Sequence, residues 1–83
     1  MRAFYVGNRE AYRLSGSWRP KHTRWAEMNC EKHEEEKFLK TCEAMLNRGW
    51  NLTIDNCWAL CFVDDRDEFS EFMADWKECK KEA

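Results

Sequence analysis

The sequence predicts an α+β fold: a small antiparallel sheet with two helices packed on one face, in the order ββ(β)αββα. Two segments, beginning near residues 30 and 65, repeat apolar side chains at spacings of three and four, the mark of a helix with one buried stripe. Between and before them lie short aromatic and β-branched runs, several with the alternation of a half-buried strand. The chain has 83 residues with no repeat, low-complexity stretch or linker, so residues 1–83 are expected to form a single compact domain. A sheet with both helices on one side is the simplest two-layer arrangement for that order.

The first two runs, "AFYVG" (3–7) and "EAYRL" (10–14), flank "GNR" and read as a hairpin. "SGS" (15–17) interrupts, and "WRPKH" (18–22) continues as an extended loop, since Pro20 disfavours helix at Arg19. "HTRWAEM" (22–28) alternates Thr23, Trp25 and Glu27 against Arg24, Ala26 and Met28, as a third strand would. A helix over about 30–48 follows, with Asn29 as its N-cap and Glu31, Glu34, Glu35 and Glu36 near its positive end. Its stripe is Phe38, Leu39, Cys42, Met45 and Leu46; Arg48 lies in the last turn and Gly49 at the C′ position. "WNLTID" (50–55) has the pattern of a strand with one wet face, and Asp55-Asn56 suits a tight turn. "CWALCFV" (57–63) is apolar on both sides, as a central strand is. Cys57, Ala59 and Cys61 share one of its faces, Trp58, Leu60 and Phe62 the other. Helices packed on the Trp58 side would leave the small residues for a further layer or a partner. Asp64 or Asp65 then caps the second helix, with Glu68 placed for a capping box. Phe69, Phe72, Met73, Trp76 and Cys79 form the second stripe, and Lys77, Lys80 and Lys81 end it with the favourable charge.

Five Trp, five Phe and two Tyr against one Pro and three Gly belong to a folded chain rather than a disordered one. No apolar run approaches the ~20 residues of a membrane span, and "MRAFYVGNRE" lacks the apolar core of a signal peptide. A cytoplasmic location is the expectation. The five cysteines, Cys30, Cys42, Cys57, Cys61 and Cys79, contain no CxxC pair and read as reduced thiols.

Candidate chemistry is sparse. On a strand, Cys57 and Cys61 stand about 13 Å apart, whereas two thiolates on one zinc approach to within about 4 Å. Cys30 and His33 share a helical turn, but His33 lies among glutamates. Asp64, Asp65, Asp67 and Glu68 lack the spacing of an EF-hand loop and suit a helix start. "HEEEKF" (33–38) has no second histidine for a zinc-protease motif, and no phosphate loop or nucleophile motif occurs. Neither enzymatic activity nor a cofactor or metal is expected; a structural zinc module is the weakest of the readings considered.

Charge is more informative. Residues 1–25 hold six Lys or Arg against one acid, and residues 26–83 hold eight against fifteen. The basic segment also carries aromatic side chains, the composition of binding hot spots. The expected function is that of a small protein–protein interaction module that binds and inhibits a larger enzyme or nucleoprotein complex. Its candidate contacts are Arg13, Trp18, Arg19, Lys21, Arg24 and Trp25, with Glu34, Glu35 and Glu36 as a second, acidic face that could dock on a basic groove. In size and style alone, the chain resembles compact phage-encoded inhibitors of host or defence enzymes. The alternative is a nucleic-acid-binding domain that stacks bases on an aromatic, basic sheet face left open by the helices.

Overall fold

The computed structural model describes residues 1–7 and 24–83. Strand β1 (Arg2–Val6) and strand β2 (Trp25–Asn29) precede a short 3-10 turn (Lys32–Glu34) and helix α1 (Glu35–Asn47). Strands β3 (Thr53–Asp55) and β4 (Trp58–Phe62) form a hairpin, and helix α2 (Arg66–Glu82) follows. The strands make one antiparallel sheet in the order β1-β2-β4-β3. The fold is therefore α+β with the expected order of elements. The second hairpin strand expected at 10–14, the break at 15–17 and the loop at 18–22 lie outside the described residues.

The helices lie on the Ala59 side, not the Trp58 side. Ala26, Met28, Ala59 and Cys61 point into one core with Phe38, Cys42, Met45, Phe72, Trp76 and Cys79. The reason is volume. A helix approaches a sheet closely over small side chains, and the helices here supply the bulk themselves. Phe72 stacks on Trp76, while Trp50 meets Phe72 and Phe38 meets Trp76 edge to face. The bulky side chains of β4 point the other way. There Trp25 and Leu60 are buried, with Val6, Trp58 and Phe62 packed around them, as a second and smaller core.

Several local expectations change, among them the strand expected over 50–55, which pairs only at Thr53–Asp55. Asn29 does not cap a helix; it is the last residue of β2, paired with both Arg2 and Trp58. The ladder takes its backbone, and the chain turns two residues later, where the Glu34 carboxylate accepts from Glu31 N–H at 3.1 Å. The tight turn is centred on Asn56-Cys57, because Asp55 still pairs with Trp58; Asn56 takes the positive φ of 54° that asparagine tolerates. In α1, Leu39 and Leu46 are 38% and 43% exposed, while Thr41 is fully buried. Two turns of helix bring positions seven apart nearly into line, so both leucines sit about 80–100° round from Phe38, beyond the buried arc. Thr41 is tolerated inside because its hydroxyl donates to the Lys37 carbonyl at 2.8 Å.

The helix ends follow the predicted chemistry. Asp65 caps α2 by accepting from Glu68 N–H, and the Glu68 carboxylate accepts in return from Asp64 N–H, both at 2.8 Å. At the end of α1, Gly49 N–H bonds to Leu46 O and Trp50 N–H to Met45 O, with Gly49 at φ 98°: a Schellman motif. A Cβ at Gly49 meets nothing within 4 Å, so the only cost of a side chain there is backbone strain. Gly49→Ala is expected to lower stability by about 1–2 kcal/mol with an unchanged denaturant m-value, and Gly49→Asn by less. Equal losses for the two variants in urea titrations would show that strain is not the cause.

Candidate interaction surface

Those predicted contact residues that the structure describes fall into two groups at opposite ends of β2. Arg13, Trp18, Arg19 and Lys21 lie outside the described residues. Arg24 is exposed at the start of β2, where its carbonyl accepts from Val63 N–H at 2.9 Å. Its side chain lines an open cleft with Tyr5, Gly7, Asp64, Asp65 and Arg66. The Arg66 guanidinium lies over the Tyr5 ring, 4.4 Å from its centre, so that ring face is taken. Trp25 follows Arg24 but is only 1% exposed. Its ring packs edge-on against Phe62, and its indole N–H donates to the Glu27 carboxylate at 3.2 Å. Trp25 is thus part of the far-side core rather than a surface anchor. With Leu60 equally buried, the centre of that face presents no platform on which a base could stack.

The acidic group sits beyond the other end of β2 and is mostly engaged. The Glu34 carboxylate binds the Met1 ammonium at 2.8 Å as well as Glu31 N–H. Hydrogen bonding to the ammonium, then to the backbone, holds it below the usual carboxylate range. Glu35 accepts from Lys32 at 3.0 Å and from the Cys57 thiol at 3.5 Å, and these bonds, Lys32 first, lower its pKa. Glu36 is different: its side chain is 86% exposed, with a long ion pair to Lys40 across one helical turn. Of the three, only Glu36 presents its charge outward.

The residues that sequence patterning placed in the core, Leu39 and Leu46, turn out to be the large apolar side chains most open to solvent among the described residues. Arg48 shows which way they point. It binds Asp75 and Glu78 of α2, and nine residues separate it from Leu39, about 180° around the helix. The leucines therefore occupy the flank turned away from α2. Glu36 lies on the same side by helical spacing, and Glu43 borders the leucines while also lining an open cleft with Cys79 and Glu82 of α2. A stripe counted from Phe38 alone includes the leucines; only the position of α2 shows that the buried arc is centred elsewhere.

No group of three or more His, Cys, Asp or Glu side chains is arranged to hold a metal ion among the described residues. Of the acidic cluster, Asp65 and Glu68 are committed to the start of α2. His33 is exposed in the 3-10 turn. Among the described residues, no helix is long and apolar enough to cross a membrane. No family model, curated protein or solved structure matches the chain.

Proposed function

We propose that this protein is a small interaction module that binds a larger enzyme or nucleoprotein complex and inhibits it by occupying a basic groove. The observation that carries the reading is the outward stripe of α1. Leu39 and Leu46, 38% and 43% exposed, stand two helical turns apart on one flank. Apolar anchors at i and i+7 are how a helix seats in a groove on a partner. Glu36 and Glu43 border them and give the stripe an acidic rim, which suits a basic surface and disfavours a phosphate backbone. The excess of acids over bases across residues 26–83, fifteen against eight, adds attraction at longer range.

The test uses the full chain as bait and the partner it enriches as the measured ligand. Leu39→Ser with Leu46→Ser is expected to weaken binding by about tenfold or more, and Glu36→Lys with Glu43→Lys to slow association and reduce its salt dependence. Melting temperatures should shift little, because the altered side chains are exposed. Normal binding by both double variants would overturn the assignment to α1. Loss of binding confined to Arg24→Glu would move the contact to the basic N-terminal segment.

A further inference from the structure

The β2–β4 ladder continues one step beyond its last strand pair. Asn29 pairs with Trp58, and the next residues, Cys30 and Cys57, face each other with Cys30 N–H donating to Cys57 O at 3.0 Å. Both side chains point to the helix side. Cys30 packs against the main core, and the Cys57 thiol reaches Glu35 of α1 at 3.5 Å and the Glu31 carbonyl at 3.9 Å. All five thiols are free in the structure. Cys42, Cys61 and Cys79 are 0%, 2% and 0% exposed, whereas Cys30 and Cys57 are half-buried. Reagents in solution therefore reach only this pair.

We propose that Cys30 and Cys57 are a redox-responsive pair that closes to a cross-strand disulfide. Directly opposed residues of an antiparallel ladder have Cα atoms about 4.5–5.5 Å apart, inside the range of about 4.4–6.8 Å that a disulfide spans. Because Cys30 N–H donates to Cys57 O, this is the wider, hydrogen-bonded kind of pair, and its Cβ atoms must close by roughly 1–2 Å to reach disulfide spacing. The pair lies where that movement is easiest, at the open end of the ladder beside the Asn56-Cys57 turn. Adjacency also shows in the acidity of Cys30, which burial first and the hydrogen bond with Cys57 second push up to about 11.

The oxidant is a low-molecular-weight disulfide such as oxidised glutathione. The Cys57 thiolate attacks one of its sulfurs, forming a mixed disulfide and releasing one thiolate. The Cys30 thiolate then attacks the Cys57 sulfur, closing the protein bond and releasing the second. The two protons lost by the cysteines go to the two released thiolates, and the protein loses two electrons to the reagent. Closure removes the thiol proton that Cys57 gives to Glu35 and staples the β3–β4 turn to the end of β2. It closes a loop of 28 residues, Cys30 through Cys57, in the unfolded chain.

The full chain is titrated with oxidised glutathione, alkylated and digested. Trypsin leaves Cys57 and Cys61 in one peptide, so a second cleavage after Trp58 or Leu60 separates them. The expected product is a Cys30–Cys57 cross-link with three thiols remaining, and a melting temperature higher by on the order of 10 °C. Cys57→Ser and Cys30→Ser should each abolish both effects and leave a singly glutathionylated chain. A bond from Cys30 to Cys42 or Cys61, glutathione retained on the wild-type pair without closure, no reaction at full oxidant excess, or a lowered melting temperature would each overturn the proposal.

Discussion

Phe72→Ala is expected to remove about 3–5 kcal/mol of stability, the largest loss of any single truncation considered. Phe72 is fully buried and holds two aromatic contacts at once: Trp50 edge-on at 5.2 Å and Trp76 stacked at 6.2 Å. Trp76 in turn meets Phe38 at 6.0 Å. Truncation therefore opens a cavity where α2 meets both α1 and the segment after it, and rigid rings close such a space poorly. Domains of this length are stable by about 4–12 kcal/mol. The variant should thus melt lower by on the order of 20 °C and come close to unfolding at room temperature. Chemical denaturation followed by Trp fluorescence measures this, and a loss below about 1 kcal/mol would mean that the core does not pack as described.

Leu60→Ala asks whether the far side of the sheet is a core. Leu60 is 1% exposed and faces away from both helices, opposite Glu27 and Thr53 in the ladder. A buried leucine costs about 2–5 kcal/mol to truncate, a surface one about 0.5 kcal/mol or less. The expected value is in the buried range. Leu39→Ala, 38% exposed on α1, supplies the comparison and should cost far less. Equal, small losses at the two positions would mean that the Trp25–Leu60 face is open to solvent. That result would restore the stacking surface which the nucleic-acid reading requires.

The legible parts of the fold are those written in local chemistry. Asp65 and Glu68 mark the start of α2 because capping uses residues three apart, and Gly49 marks the end of α1 because a left-handed residue there is almost strain-free only as glycine. The alternation of Trp25 and Glu27 against Ala26 and Met28 describes β2 correctly, since strand faces follow from period two. Asn29 was misleading for a physical reason: asparagine suits a cap, but a ladder with two neighbours outweighs one capping bond. The candidate surface was less legible. Arg24 is exposed as expected, while its neighbour Trp25 is buried on the far face. Glu34 and Glu35 are engaged by the Met1 ammonium and the Cys57 thiol, partners 33 and 22 residues away that no spacing rule brings together, whereas the Lys32–Glu35 pair follows from i,i+3 spacing.

"NCWALCFVDDRDEF" (56–69) separates the two kinds of information. By itself the sequence determined that small and bulky side chains alternate along β4, that the aspartates close the strand, and that a helix begins after them. These are properties of neighbours in the chain, fixed by pleat and capping geometry. Only the tertiary structure decided which face meets the helices. Two helices carrying Phe38, Met45, Phe72 and Trp76 fill the space over Ala59 and Cys61, and the same helices could not approach over Trp58, Leu60 and Phe62. That choice depends on the summed volume of side chains distant in sequence. It turned Leu39 and Leu46 outward and put Trp25 in a second core, while the β2–β4 register set Cys57 beside Cys30.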